Sequence, residues 1–198
     1  PELNYNLNCD GIGAICHEMG HVLGLPDFYD TDYSSSGGTA IHTDVWDVMS
    51  SGSYNNDSKT PPYYSAEERN LLGWLTPNML TTNNTPCTLP AISDSNKAYK
   101  LNLSSNEFLI FEHRNQKKWD AYTPAKGMLI FHGDQTLINH WINGTGNDIN
   151  VNPSDRGFFI VPATGDSSNI SSTNTTFPGS SNISSFLNTT LKNGTTTG

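Results

Sequence analysis

The sequence predicts an α+β protein: a helix, a long irregular loop and a second, short helix, followed by a β-rich, sandwich-like region. Three observations predict it. Apolar residues recur at helical spacing over residues 10–23, and a capping box with a glycine stop brackets a second helix over 66–72. Short apolar runs bounded by turn residues fill residues 98–161. Only 15% of the residues are charged, so polarity comes from Asn, Ser, Thr and Gly, a balance that suits loops and strands.

The first helix is expected over Asp10 to Leu23. Asp10 can cap its start, and Gly24 can end it in a left-handed conformation. Ile12, Ile15, Cys16, Met19, Val22 and Leu23 form its apolar face, and His17 and His21, four residues apart, share one side. The segment from Leu25 to about Tyr64 is rich in Asp, Ser, Gly and Asn, and loops of that length inside a domain are usually functional. The second helix spans Ala66 to Leu72, with Ser65 and Glu68 as a capping box and Gly73 as its stop.

The character changes after Pro77, and Thr81 to Pro86 reads as a linker. Two regions follow from this, 1–80 and 81–198. The second carries apolar runs at 98–103, 108–113, 128–132 and 157–161 and a polar Ser/Thr/Asn-rich tail from Asp166. Phe108 to Phe111 are continuously apolar, which points to a strand buried on both faces.

Charge and composition remove several classes of function. The net charge is −9 and no run of Lys or Arg exists, so no nucleic-acid footprint is present. No apolar stretch approaches 18 residues, so no membrane span is expected. Three cysteines are too few, and odd in number, for a disulfide framework; Cys16 reads as a buried thiol, and a Cys9–Cys87 bridge stays open. The chain opens at Pro1 and closes in a Thr-rich tail, so both ends read as cut from something longer. Nine Asn-x-Ser/Thr sequons give mild support to export.

The chemistry is concentrated in His17-Glu18-Met19-Gly20-His21, a HExxH motif. On a helix the two imidazoles can converge on one Zn²⁺, at roughly 2.0–2.1 Å from each nitrogen. Glu18 then stands beside the open position of the metal, where it can act as general base toward a metal-activated water. Such a motif arises by chance in roughly one chain per hundred of this length, so its surroundings decide. It extends as His17-Glu-x-x-His21-x-x-Gly24-x-x-Asp27, and a reversal at Gly24 can return Asp27 as third ligand. The competing role for Asp27 is capping or calcium binding. About twenty residues on, Trp46-Asp47-Val48-Met49-Ser50 places a methionine where a tight turn could floor the site.

HEMGHVLGLPDFYD, from His17 to Asp30, resembles the immune inhibitor A family of secreted zinc metallopeptidases. WDVMSSGSY, TPPYYSAEERNLLGWL and FLIFEHRNQKKWDAYTPAKGMLIFHGD resemble its continuation, and Met49 resembles the Met-turn of the metzincin clan. The resemblance implies the C-terminal half of a metzincin-like catalytic domain, zinc-dependent endopeptidase activity on proteins or peptides, and a secreted, extracellular location. It also implies an N-terminal half that the sixteen residues before His17 are too few to form, and which the full-length chain should supply. One position departs from the pattern. Metzincins often carry Tyr two residues after the turn Met, and here that residue is Ser51. Tyr54, Tyr63 and Tyr64 are the candidate substitutes for assisting the oxyanion or substrate.

Among other clusters, Asp30 and Asp32 are candidates for Ca²⁺, which takes six to eight oxygens. His42 reads as a surface loop histidine before a cleft residue, and His113 and His132 as strand-end histidines. The expected function is peptide-bond hydrolysis. The alternative is a non-catalytic, zinc-stabilised adhesion or binding module.

Overall fold

A computed structural model describes residues 11–83, 86–186, 189–190 and 196–197. The first helix, α1, spans Ile12–Leu23 and starts from Gly11; the expected Asp10 cap lies outside the described residues. It ends at Gly24, whose φ of 108° only glycine adopts without strain. The reversed chain returns the Gly24 N–H to the His21 carbonyl (3.0 Å) and the Leu25 N–H to that of Gly20 (2.9 Å).

The apolar face expected of α1 is not its buried face. Ile12, Ile15, Met19, Val22 and Leu23 are 43–79% exposed among the described residues. The helix buries its glycine side instead, through Gly13 and Gly20, and of the apolar set Cys16 packs against the core. The reason is proximity. A Cβ on Gly13 would lie 1.8 Å from the Ser53 carbonyl oxygen, and one on Gly20 would lie 2.3 Å from the Met49 sulfur. Two glycines inside a helix cost roughly 1 kcal/mol each relative to alanine, and here they let the helix lie against the loop that floors it.

The long loop stays irregular apart from 3₁₀ turns at Asp44–Trp46 and Ser51–Tyr54. Helix α2 follows at Ala66–Leu71, with the Ser65/Glu68 capping box in place.

The β-rich region forms one five-stranded mixed sheet in the order β1-β2-β3-β4-β5. Its strands are β1 (Asn78–Met79), β2 (Tyr99–Asn102), β3 (Glu107–Arg114), β4 (Gly127–Asp134) and β5 (Phe158–Ile160). β1 and β2 are parallel and the other pairs antiparallel, with β3 and β4 in register from Glu107↔Asp134 to Arg114↔Gly127. The double burial expected of β3 is present. Phe108 and Ile110 enter one apolar cluster, and Leu109 and Phe111 a second.

The expected sandwich is replaced by this single sheet. No second large sheet covers it among the described residues; β6 (Thr189–Thr190) and β7 (Thr196–Thr197) form only a two-stranded ribbon. Phe177 with partly buried Ile183 and Phe186 covers one face, because the Ser/Thr/Asn-rich tail supplies single apolar anchors and no long strand. The other face packs on Leu25, Phe28, Trp46, Met49 and Ala66, so one core runs continuously across residue 80. A third helix, α3 (Gln135–Ile142), lies where no helix was expected. Asp134 caps it by accepting the Thr136 N–H at 2.7 Å.

Candidate metal centre

Helix α1 presents His17 and His21 one turn apart, with ring centroids 4.8 Å apart and ring planes at 89°. Each Nδ1 is held by a backbone carbonyl: His17 by Val48 and His21 by Leu25, both at 2.9 Å. A carbonyl can only accept, so in each neutral imidazole the proton sits on Nδ1 and Nε2 keeps a lone pair. Both lone pairs point toward Asp27. Its Oδ1 lies 3.1 Å from His17 Nε2 and 3.2 Å from His21 Nε2.

These three residues are the one cluster of His, Cys, Asp or Glu suited to an ion among the described residues. Two tests support the fit of a metal. Ligand atoms held tetrahedrally at roughly 2.0–2.1 Å from one ion lie about 3.3 Å apart, close to the separations seen. Asp27 Oδ1 is also buried, with no donor besides these ring nitrogens, which in the neutral imidazoles offer it lone pairs and no proton. A buried carboxylate oxygen without a donor is costly, and a cation satisfies it. Without an ion, the Asp27 carboxylate holds the His17 imidazole above its ordinary pKa, against a lowering by burial.

The floor is built from Asp47 to Ser50. Met49 is fully buried beneath α1, its sulfur facing Gly20. Its backbone is shaped by Asp47, whose Oδ1 accepts the Met49 N–H at 2.7 Å, and Met49 in turn accepts the Phe28 N–H at 2.8 Å. That last bond ties the floor to the segment carrying Asp27.

Asp47 is fully buried against Glu68 of α2, whose other oxygen holds the Ser65 N–H of the capping box. Asp47 Oδ2 and Glu68 Oε1 are both buried, and the pair is satisfied when Glu68 carries a proton between them. Burial, then the Asp47 charge, push Glu68 well above the usual carboxylate range. The unfolded chain releases this proton near pH 4.3 and the folded chain holds it to higher pH, so the contribution to stability is complete below about pH 4.3 and is lost as pH rises toward the folded value. Glu68→Gln is therefore expected to flatten the fall of unfolding free energy above about pH 5, by up to roughly 1.4 kcal/mol per pH unit. Urea unfolding across pH 5–8 reads this directly, and identical slopes in both proteins would refute the shared proton.

The remaining residues expected at the site fall in different places. Glu18 is exposed and, with His17, lines a cleft of about 570 Å³. Tyr54 lines the same cleft. Tyr63 and Tyr64 line a separate pocket instead, beside Cys16 and Val48. The Tyr64 hydroxyl donates to the Cys16 carbonyl at 2.7 Å, and burial pushes its pKa up to about 12. It buttresses the helix. Asp30 and Asp32 do not form a joint cage among the described residues. The Asp30 oxygens accept the Asp32 N–H (3.2 Å) and the Ala40 N–H (2.8 Å), and an Asp32 oxygen accepts the Ser36 hydroxyl. The Cys9–Cys87 pairing rests on Cys9, outside the described residues.

Other cleft residues were not legible in the sequence. Tyr29 and Tyr33 join its wall. His42 is also there and not on the open surface: Ser50 Oγ lies 2.9 Å from its Nδ1, the Asp44 N–H donates to it at 3.0 Å, and burial lowers its pKa. His113 and His132 lie within strands, bonded to the Leu89 carbonyl (3.2 Å) and Glu107 (2.9 Å).

Residues 4–74 match the Immune inhibitor A peptidase M6 catalytic domain, and that stretch contains all three candidate ligands, Glu18 and Met49. Over this segment, about a third of its length, the chain is similar to the M6 family. The family is one of zinc metallopeptidases. The chain is similar to pre-pro-metalloprotease PrtV of Vibrio cholerae, 50% identical over 46 residues, which are 23% of this chain and 5% of that protein. It is also similar to Immune inhibitor A of Bacillus thuringiensis, 40% identical over 60 residues, 29% of this chain and 8% of the relative. The matches thus span less than a tenth of either relative's length. No helix among the described residues is long and apolar enough to cross a membrane.

Proposed function

We propose that this chain carries the metal-binding part of a secreted zinc endopeptidase with a metzincin-like catalytic region. The observation that carries the reading is the convergence of His17 Nε2, His21 Nε2 and the otherwise unpartnered Asp27 Oδ1, with Glu18 on the adjoining cleft wall. Zinc, when bound, polarises the scissile carbonyl and makes water acidic enough to deprotonate near neutral pH. His17, His21 and Asp27 would hold it, with the Val48 and Leu25 carbonyls fixing the two rings. Glu18 accepts the proton of the attacking water and delivers it to the leaving amine. Met49 supports the ligands from below as a Met-turn.

The cleft is lined by Tyr29, Tyr33 and Tyr54 and offers a surface for a substrate chain, with Tyr54 the candidate for contact with the reacting carbonyl. The printed name of the Vibrio relative, a pre-pro-metalloprotease, supports export and protein substrates for this chain as well. A zinc-stabilised binding module would use the same triad but would have no need of Glu18. The test is metal removal from the full-length protein. Chelation by phenanthroline should abolish casein cleavage and added Zn²⁺ should restore it. Full activity in protein shown by elemental analysis to be metal-free would overturn the proposal.

A further inference from the structure

The M6 match ends at residue 74, yet the turn that carries Asp27 is held by side chains from far beyond it. After Gly24 the backbone leaves the helix without joining a strand, so its polar groups need partners from elsewhere. Residues 141–150, from the last turn of α3 onward toward β5, supply several. Trp141 Nε1 donates to the Gly24 carbonyl at 2.7 Å, and its ring lies 6.2 Å from that of His21. Asn150 Nδ2 donates to the Phe28 carbonyl at 2.8 Å and to that of Phe158 at 2.6 Å, which anchors the grip in β5.

Between these two points stands Asn147. With its amide oriented to satisfy both ends, Oδ1 accepts the Asp27 N–H at 2.8 Å and Nδ2 donates to the Asp27 carbonyl at 3.2 Å. The reverse orientation would give Nδ2 a single long bond to Asp27 Oδ2 at 3.3 Å while facing its oxygen to a carbonyl and its nitrogen to an N–H. Asn147 is itself steadied where its carbonyl accepts the Thr31 hydroxyl at 3.1 Å.

We propose that Asn147 is a positioning residue for the metal centre, which fixes the backbone of Asp27 so that its carboxylate meets His17 and His21. The inference rests on the reading of Asp27 as third ligand. His17 and His21 are spaced by their own helix, whereas Asp27 lies on irregular backbone whose direction depends on what holds it. Asn147 grips both polar groups of that one residue, and neither bond touches the carboxylate. Its role is therefore to aim the ligand while leaving Oδ1 free. The region after residue 80 is thereby part of the metal site.

The test uses the full-length protein and zinc affinity measured by chelator competition. Asn147→Ala is expected to weaken zinc binding by about 10–100-fold, the usual cost of losing a partner behind a ligand. The melting temperature of the metal-free protein should change little. Asn147→Gln, gentler on folding, moves the same amide by one methylene and should weaken zinc in the same direction. Cobalt substitution adds a spectroscopic reading, in which the visible spectrum of Asn147→Ala should shift toward that of Asp27→Ala. The double variant should bind zinc no more weakly than Asp27→Ala alone. Unchanged zinc affinity in both Asn147 variants, with Asp27→Ala impaired, would overturn the positioning role alone. Unchanged affinity in Asp27→Ala would overturn the ligand assignment and this proposal with it.

Discussion

Glu18→Gln is expected to lower casein hydrolysis by the full-length protein by about 10²–10⁴-fold, the usual contribution of a general acid–base group. Bound zinc should stay at the wild-type level. The separation follows from geometry. Glu18 lies beside His17 in the wall of the cleft, but the ion-sized cluster is made by His17, His21 and Asp27 without it. Glutamine keeps the size and polarity of the side chain and loses only the ability to take up a proton. Because Glu18 is exposed, the change should leave folding intact. Rate and metal content measured on one preparation decide the matter. Undiminished cleavage would remove Glu18 from the mechanism, and loss of zinc together with activity would make it a ligand.

The largest expected effect on stability is at Arg114, which is fully buried in β3. Its Nε and Nη2 meet Glu112 Oε1 at 2.7 and 2.6 Å, and its Nη1 meets Asp120 Oδ1 at 2.7 Å. The two carboxylates hold the guanidinium pKa above its ordinary value despite the burial. Through them the network reaches the site's supports. Glu112 Oε2 accepts the Ala66 N–H at the start of α2 (2.7 Å), and Asp120 accepts the Tyr63 N–H (3.2 Å). Arg114→Ala leaves two buried carboxylates with too little compensation; the second cation, Arg69, reaches Glu112 only at 3.6 Å. Breaking a buried ion pair in this way costs about 3–5 kcal/mol. Equilibrium urea unfolding should show that loss. A change below about 1 kcal/mol would mean that water or local rearrangement relieves the two acids. The triple variant Arg114→Met, Glu112→Gln, Asp120→Asn should recover much of the loss, since the penalty lies in unpaired charge.

Much of the site was legible in the chain because its signals are local. HExxH on a helix puts two imidazoles on one side by periodicity alone, and Gly24 can turn the chain by virtue of having no side chain. Ser65 and Glu68 mark a helix start within four residues, and the structure contains that capping box. The uninterrupted apolar run Phe108 to Phe111 announced a strand covered on both sides, as found. Helix α3 went unread because its eight residues follow a strand directly, and Asp134 serves both as the last strand residue and as the helix cap.

What the chain by itself determined is the set of groups proposed to bind a metal and move a proton, together with the helix that spaces two of them. Tertiary structure decided the rest. Which face of α1 is buried depended on the close approach of the Ser53 and Met49 backbone and side chain to two glycines, and not on its apolar periodicity. The roles of Tyr64 and His42 depended on which part of α1 each loop reached. The direction of Asp27 depended on an amide 120 residues away. Periodicity reports contacts a few residues apart, whereas irregular backbone takes its geometry from whatever distant groups satisfy its N–H and C=O, and no local pattern records those partners.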